Sequence, residues 1–207
     1  MERDYGALPI QELGANAGFR RPTQPQASRV TAGSPALQVM TDLTRVTPAT
    51  IRPQAPLAGA NQFMITRGVR LLLVVDDLEN VLGVISAADL LGERPMLVAT
   101  QRRLRRDELT VADVMTGAAH VEVIALADVE GARVGHVLAT LRRAGRQHAL
   151  VVDHDVLSPA RPLEAPAKRT MVRGIFSVSQ IARQLGVALP AGGEVARTFS
   201  EIEAAIR

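Results

Sequence analysis

Residues 67–77 read RGVRLLLVVDD, and residues 144–154 read AGRQHALVVDH. In each stretch a glycine, Gly68 or Gly145, is followed seven residues later by the last valine of a VVD end, at Val75-Asp76 and Val152-Asp153. A VMT tripeptide stands upstream of each copy, at Val39–Thr41 and Val114–Thr116. A glycine-led apolar run ending in serine stands downstream of each, Gly83–Ser86 and Gly174–Ser177. Self-similarity on this scale means one supersecondary unit used twice, and a ligand site that comes in two versions.

The spacing supports duplication. Gly68 to Gly145 and Asp76 to Asp153 are both 77 residues apart, and Met40 to Met115 is 75. Ser86 to Ser177 is 91, so the register slips by 14 in the second hairpin. The inserted stretch, about residues 154–169, carries Pro159, Pro162 and Pro166 and reads as a surface loop.

Working outward, Leu57, Ala60, Phe63 and Met64 recur at helical spacing, with Gly68 as the stop. Residues 70–75 read as a buried strand, residues 76–80 as a turn and residues 81–86 as its partner strand. A second helix starts at Ala87. In the second copy, Val129, Val134, Val137, Leu138 and Leu141 form one helical stripe, with Asp128 as N-cap and Gly145 as stop. Residues 147–153 and 171–177 read as strands, and residues 179–185 as a helix ended by Gly186. Thr198-Phe199-Ser200-Glu201 has the form of a capping box, so a last helix is expected, with Phe199, Ile202 and Ile206 needing cover.

The organisation is therefore a flexible tail over residues 1–35 with a short helical piece at residues 10–14. A first unit follows over 36–92, a linker over 93–109, a second unit over 110–187, and a linker with a terminal helix over 188–207. Each unit reads strand, helix, strand, strand, helix. Units of this size have marginal cores alone, and packing one sheet on the other solves that problem. The fold class is α+β with internal pseudo-twofold symmetry.

Composition narrows the function classes. The chain has no cysteine, which excludes disulfides and cysteine-ligated zinc and favours a cytoplasmic address. The opening residues lack the apolar core of a signal peptide, and no apolar run matches a bilayer's thickness, so no membrane association is expected. The net charge is +3, and of 24 basic residues all but Lys168 are arginine. The Arg102–Arg106 run reads as a solvated helix face. His154 stands between Asp153 and Asp155, but three adjacent residues do not converge on one ion, and no metal site is expected. No nucleophile elbow, zincin motif, P-loop or dinucleotide fingerprint is present, and no catalytic residue is assigned.

The repeated order of VMT, helix, Gly68–Asp76 and then Gly83–Leu91 (GVISAADLL) resembles a cystathionine β-synthase (CBS) domain, and the two copies resemble a tandem CBS pair over about residues 36–187. The resemblance implies two βαββα units with clefts between them, a regulatory and non-enzymatic role, and frequent homodimers. It implies an adenosine-containing ligand: AMP, ADP, ATP or S-adenosylmethionine. No cofactor is required. With no effector domain visible, output would pass to an unidentified effector protein in trans.

In the first unit, Ser86 and Asp89 match the family's strand-to-helix signature. The carboxylate can accept two hydrogen bonds from a ribose diol, and the serine suits a phosphate. The same two residues also read as a plain helix cap. Val69, Leu72 and Ile85 could sandwich an adenine, and Thr47 and Arg70 stand where the family makes backbone or phosphate contacts. The second unit keeps Ser177 but has Gln180 where the first has Asp89. A second site of Ser177, Gln180 and His148 is therefore expected to be the weaker. An alternative is a ligand-free interaction module whose arginines give at most weak, salt-sensitive nucleic-acid binding.

Overall fold

The computed structural model describes residues 30–157, 167–187, 199–202 and 204. The expected helical piece at residues 10–14 and the three prolines of the second hairpin lie outside the described residues.

After a 3-10 turn at Ala36–Val39 come β1 (Thr41–Asp42), β2 (Thr50–Ile51), α1 (Leu57–Arg67), β3 (Leu71–Val75), β4 (Val81–Ser86), α2 (Ala87–Leu91) and α3 (Arg94–Arg102). The chain then forms α4 (Val111–Val114), β5 (Thr116–Gly117), β6 (Val123–Ala125), α5 (Leu126–Glu130) and α6 (Val134–Ala144), and ends its regular part with β7 (His148–Leu157), β8 (Ala167–Ser177) and α7 (Val178–Leu185). Helix α1 stops at Gly68 and α6 at Gly145, each left-handed with φ of 64° and 62°. A residue with a Cβ is strained there, which is why both copies use glycine.

Two four-stranded sheets result, in the orders β2-β3-β4-β5 and β6-β7-β8-β1. Both pair parallel, antiparallel, antiparallel along that order. Both central hairpins also carry an irregularity at the same place, between Val74 and Val75 in one and Val151 and Val152 in the other. Those positions are again 77 residues apart.

The short edge strands trade places. Thr41 of the first VMT pairs with Ile175 in the second unit's sheet, and Thr116 of the second VMT pairs with Val84 in the first unit's sheet. Val39 and Met40 accordingly sit in the core under α6 and α7, while Leu109, Val111 and Val114 sit in the core under α1. At the crossing, Arg173 pairs with Asp42, and that arginine together with Thr44 holds the Asp42 carboxyl well below the usual carboxylate range.

Three apolar layers follow. Every residue of β3 is buried. Leu72 and Val74 face the α1 core, while Leu71, Leu73 and Val75 face the other sheet and meet Leu150. The third layer lies between the second sheet and its helices and includes Phe176.

Several local expectations change. Residues 30–35, assigned above to the tail, are held against the second unit: Val134 and Gly135 donate to the carbonyls of Ser34 and Ala32 at 2.9 Å. The stripe from Val129 to Leu141 is broken at Gly131, so Asp128 lies inside α5, and Arg133 starts α6 instead. Part of the inserted stretch is ladder and not loop, because His154 pairs with Thr170 and Leu157 with Ala167. The arginine run is no helix face. Arg102 ends α3 and pairs with Asp113, Arg103 is left-handed, Arg105 pairs with Asp107, and Arg106 donates to the Leu90 carbonyl. The linker assigned to residues 93–109 thus holds a helix whose Ala99 reaches the first core. Phe199 and Ile202 of the last helix are covered by the chain's own second core, with Val30 among their neighbours.

Glycine after each hairpin irregularity lets the traded strand approach. A Cβ on Gly83 would sit inside van der Waals distance of the Thr116 carbonyl oxygen and 3.1 Å from the Gly117 Cα, both backbone atoms. The atoms nearest a Cβ on Gly174 belong to the Met40 side chain and not to backbone. Gly83→Ala is therefore expected to destabilise by about 1–3 kcal/mol and Gly174→Ala by less. Urea midpoints of the two variants measure this, and equal losses would contradict it.

Candidate functional site

Both strand-to-helix corners open on the seam between the two sheets. Each corner faces the turn between helix and strand of the other unit. The clefts lie between the units, as the resemblance implies, but each is lined by residues of both, unlike the within-unit grouping of residues read from the sequence.

The larger cleft has a volume of about 860 Å³. Thr47, Val69 and Arg70 of the first unit form one wall, and Ser177 and Gln180 at the start of α7 form the other. A cleft of this size is within the range that holds drug-sized ligands. Arg67 and Arg183 also line it, and among the described residues its lining includes no Asp or Glu. The Thr41 hydroxyl donates to Gln180 Oε1 at 2.9 Å, and the Ser177 and Ser179 hydroxyls lie 3.0 Å apart.

The smaller cleft, about 150 Å³, holds Ser86 and Asp89 at the start of α2. Across from them stand His120, Glu122, Arg146 and His148. Ser86 and Asp89 form a reciprocal cap on α2: the Ser86 backbone N–H and hydroxyl donate to Asp89 Oδ2 at 2.8 and 2.6 Å. Asp89 Oδ1 accepts from Arg94 at 3.4 Å, and Arg94 also donates to the Thr116 hydroxyl and the Met115 carbonyl. Much of the carboxylate's accepting capacity is therefore occupied within the protein.

The structure thus brings Thr47, Val69 and Arg70 together with Ser177 and Gln180, and separates them from Ser86 and Asp89. Leu72 and Ile85 reach neither cleft. Both are fully buried against α1, on the opposite side of the first sheet, because side chains alternate along a strand. Leu71, one residue over, takes the cleft-facing position. The residues the sequence reading missed are Arg67, Arg183, Glu122 and Arg146. Arg146 was reachable from the 77-residue offset, which carries Val69 onto it.

The same offset carries Leu71 onto His148, and both residues line both clefts. His148 is the first residue of β7, paired with Ser177. Burial, and then the charge of Arg70, push its pKa down to about 4, while Asp89 pulls the other way. The imidazole is neutral at pH 7. The unfolded chain takes up this proton near pH 6.5 and the folded protein only near 4, so stability falls as pH drops through that window. His148→Leu, which restores the residue of the first copy, is expected to remove this part of the loss. Urea midpoints at pH 7 and pH 4.5 for both proteins measure it, and identical pH dependence would contradict it.

Among the described residues, no group of three or more His, Cys, Asp or Glu could hold a metal ion. No described helix is long and apolar enough to cross a membrane.

Residues 38–95 match the family model described as CBS domain. No curated protein matches the chain. Among solved structures, the chain is similar to an uncharacterized conserved protein from Pyrococcus horikoshii, at 18% identity and a TM-score of 0.50, over 79% of this chain and 100% of that one. It is also similar to a CBS domain pair solved in complex with 5′-methylthioadenosine and S-adenosyl-L-methionine, at 19% identity and a TM-score of 0.47, over 74% and 97%. A third likeness is to a CBS-pair protein from Arabidopsis thaliana solved with AMP, at 19% identity and a TM-score of 0.47, over 73% and 95%. At 18% identity the first of these likenesses concerns the fold alone.

Proposed function

With a CBS domain at residues 38–95 and the same order of strands built a second time behind it, we propose that this chain is a regulatory module binding an adenosine-containing ligand between its two units. The ligand class is AMP, ADP, ATP or S-adenosylmethionine. The bound state is passed to a partner protein in trans. We read the chain as a binder and not an enzyme, working in the cytoplasm.

The observation that carries this reading is the larger cleft, where Thr47, Val69 and Arg70 meet Ser177 and Gln180 around about 860 Å³. Val69, Leu71 and Ile175 offer apolar surface to a base, and the arginines offer charge to phosphates. The cleft around Ser86 and Asp89 is below the usual ligand size. We therefore place the primary site at the larger cleft, reversing the ranking expected from Asp89 alone. Ligand across the seam contacts both units, so it favours whichever arrangement of them fits it best. The chain works as a homodimer in this reading, and Ile65, Leu91, Met96 and Leu97, exposed on α1, α2 and α3, are apolar surface for a second copy to cover.

Thermal unfolding with AMP, ADP, ATP, S-adenosylmethionine and GTP tests the function. A ligand that binds only the folded protein adds about 2.7 kcal/mol at 100 times its dissociation constant. The expected result is a shift with at least one adenosine compound that shrinks in Arg70→Ala. No shift with any compound would overturn the reading in favour of a ligand-free interaction module.

A further inference from the structure

Resting on the larger cleft as the ligand site, we propose that this cleft recognises its ligand by a polyphosphate chain and does not read the ribose diol. Its ligands are polyphosphate anions, with ribonucleotides and deoxyribonucleotides bound alike.

The polar groups of the cleft decide this. Arg67, Arg70 and Arg183 line it, and among the described residues no carboxylate does. Arg67 stacks on Phe63, with its guanidinium carbon 5.7 Å from the ring centroid. Among the described residues, Arg70 and Arg183 have no ion-pair partner, whereas Arg52, Arg94, Arg102, Arg105 and Arg173 each have one. Unpaired guanidinium groups facing one cleft are donors with nothing among the described residues to receive them.

The corner residue agrees. A ribose diol presents two O–H donors, and a carboxylate can accept both. Gln180 stands at that corner, and its oxygen already accepts from Thr41 at 2.9 Å. It keeps one lone pair for a further donor, where a carboxylate would offer two oxygens, and its amide N–H₂ donates. Ser177 and Ser179 add hydroxyls at the same corner. Three guanidinium groups, an amide N–H₂ and hydroxyls together match phosphate oxygens, which only accept, and the corner has no carboxylate to take both O–H groups of a diol. The smaller cleft is the contrast, since Asp89 and Glu122 line it. Both clefts come from one repeated unit, so the exchange of Asp for Gln gives the copies different chemistry.

Calorimetric titration of the full chain with ATP, dATP, adenosine and inorganic tripolyphosphate tests the proposal. ATP and dATP are expected to bind within about twofold of each other, and adenosine at least about tenfold more weakly, since hydrogen bonds to charged groups are the strong ones lost. Tripolyphosphate alone is expected to bind, with affinity falling as salt rises. The exposed pair Arg70→Ala with Arg183→Ala should weaken tripolyphosphate at least about tenfold. Gln180→Asp should weaken tripolyphosphate and create a preference for ATP over dATP. ATP binding tenfold tighter than dATP in the unaltered chain, or adenosine binding as tightly as ATP, would overturn the anion-only cleft while leaving an adenosine-binding function standing. Tripolyphosphate binding without any adenosine compound would do the reverse. Tripolyphosphate binding that survives loss of both arginines would also overturn the proposal.

Discussion

Phe176→Ala is expected to lower stability by about 3–5 kcal/mol. For a chain of this length that is a fall in melting temperature of about 10 °C. The ring is fully buried in β8, opposite Ala149 in the hairpin, among Val137, Leu138 and Ile181 of the helices above. The chain has four phenylalanines, one tyrosine and no tryptophan, and Phe199 on the last helix shares this core with Phe176. The surrounding residues are branched aliphatics on packed elements, which collapse poorly into a cavity. Equilibrium urea unfolding measures the loss, and one below about 1 kcal/mol would mean that the site relaxes far more than such packing allows.

The second large effect separates a packing role from a binding role at one residue. Leu72→Ala is expected to destabilise by about 2–5 kcal/mol while leaving ligand affinity unchanged. The sequence reading placed Leu72 against an adenine, whereas the structure places it under α1, behind the sheet. Calorimetry at a temperature where the variant stays folded, together with urea unfolding, distinguishes the two. A stable variant that has lost affinity would return Leu72 to the site. Both this variant and Phe176→Ala are expected to shift a single unfolding transition. Leu71, Leu73 and Val75 share one apolar layer with Leu150, and losing either sheet exposes the inner face of the other.

Much of the fold was legible because duplicated local signals agree. Gly68 and Gly145 stop helices, and residues 71–75 and 81–86 are strands, since these features depend on a few adjacent residues. What was hidden depends on separation in sequence. Nothing local shows that Thr116 pairs with Val84, or that Ser177 faces Arg70 across a cleft. The break at Gly131 was masked by an apolar stripe that continues on both sides of it. For the candidate site, Thr47, Val69, Arg70, Ser177 and Gln180 are legible one by one, but not their grouping, because nothing along the chain says which corner of one unit faces which turn of the other across the clefts between them. Leu72 faces away from the cleft unseen because β3 is buried on both sides, so its composition carries no alternation from which to choose; Ile85 is its cross-strand partner in β4 and faces the same core.

The traded edge strands have a consequence for how such a chain could be divided. Cut between its two halves, neither piece is closed. The first half keeps β1 but has lost the sheet that β1 borders, and its own sheet lacks β5. The second half is open in the mirror sense. A half-molecule could close only by borrowing the missing strand from another molecule, and that molecule would need the same loan in return. The smallest self-sufficient object made from one half is thus a reciprocal pair, and the full chain is that pair with its two members joined end to end.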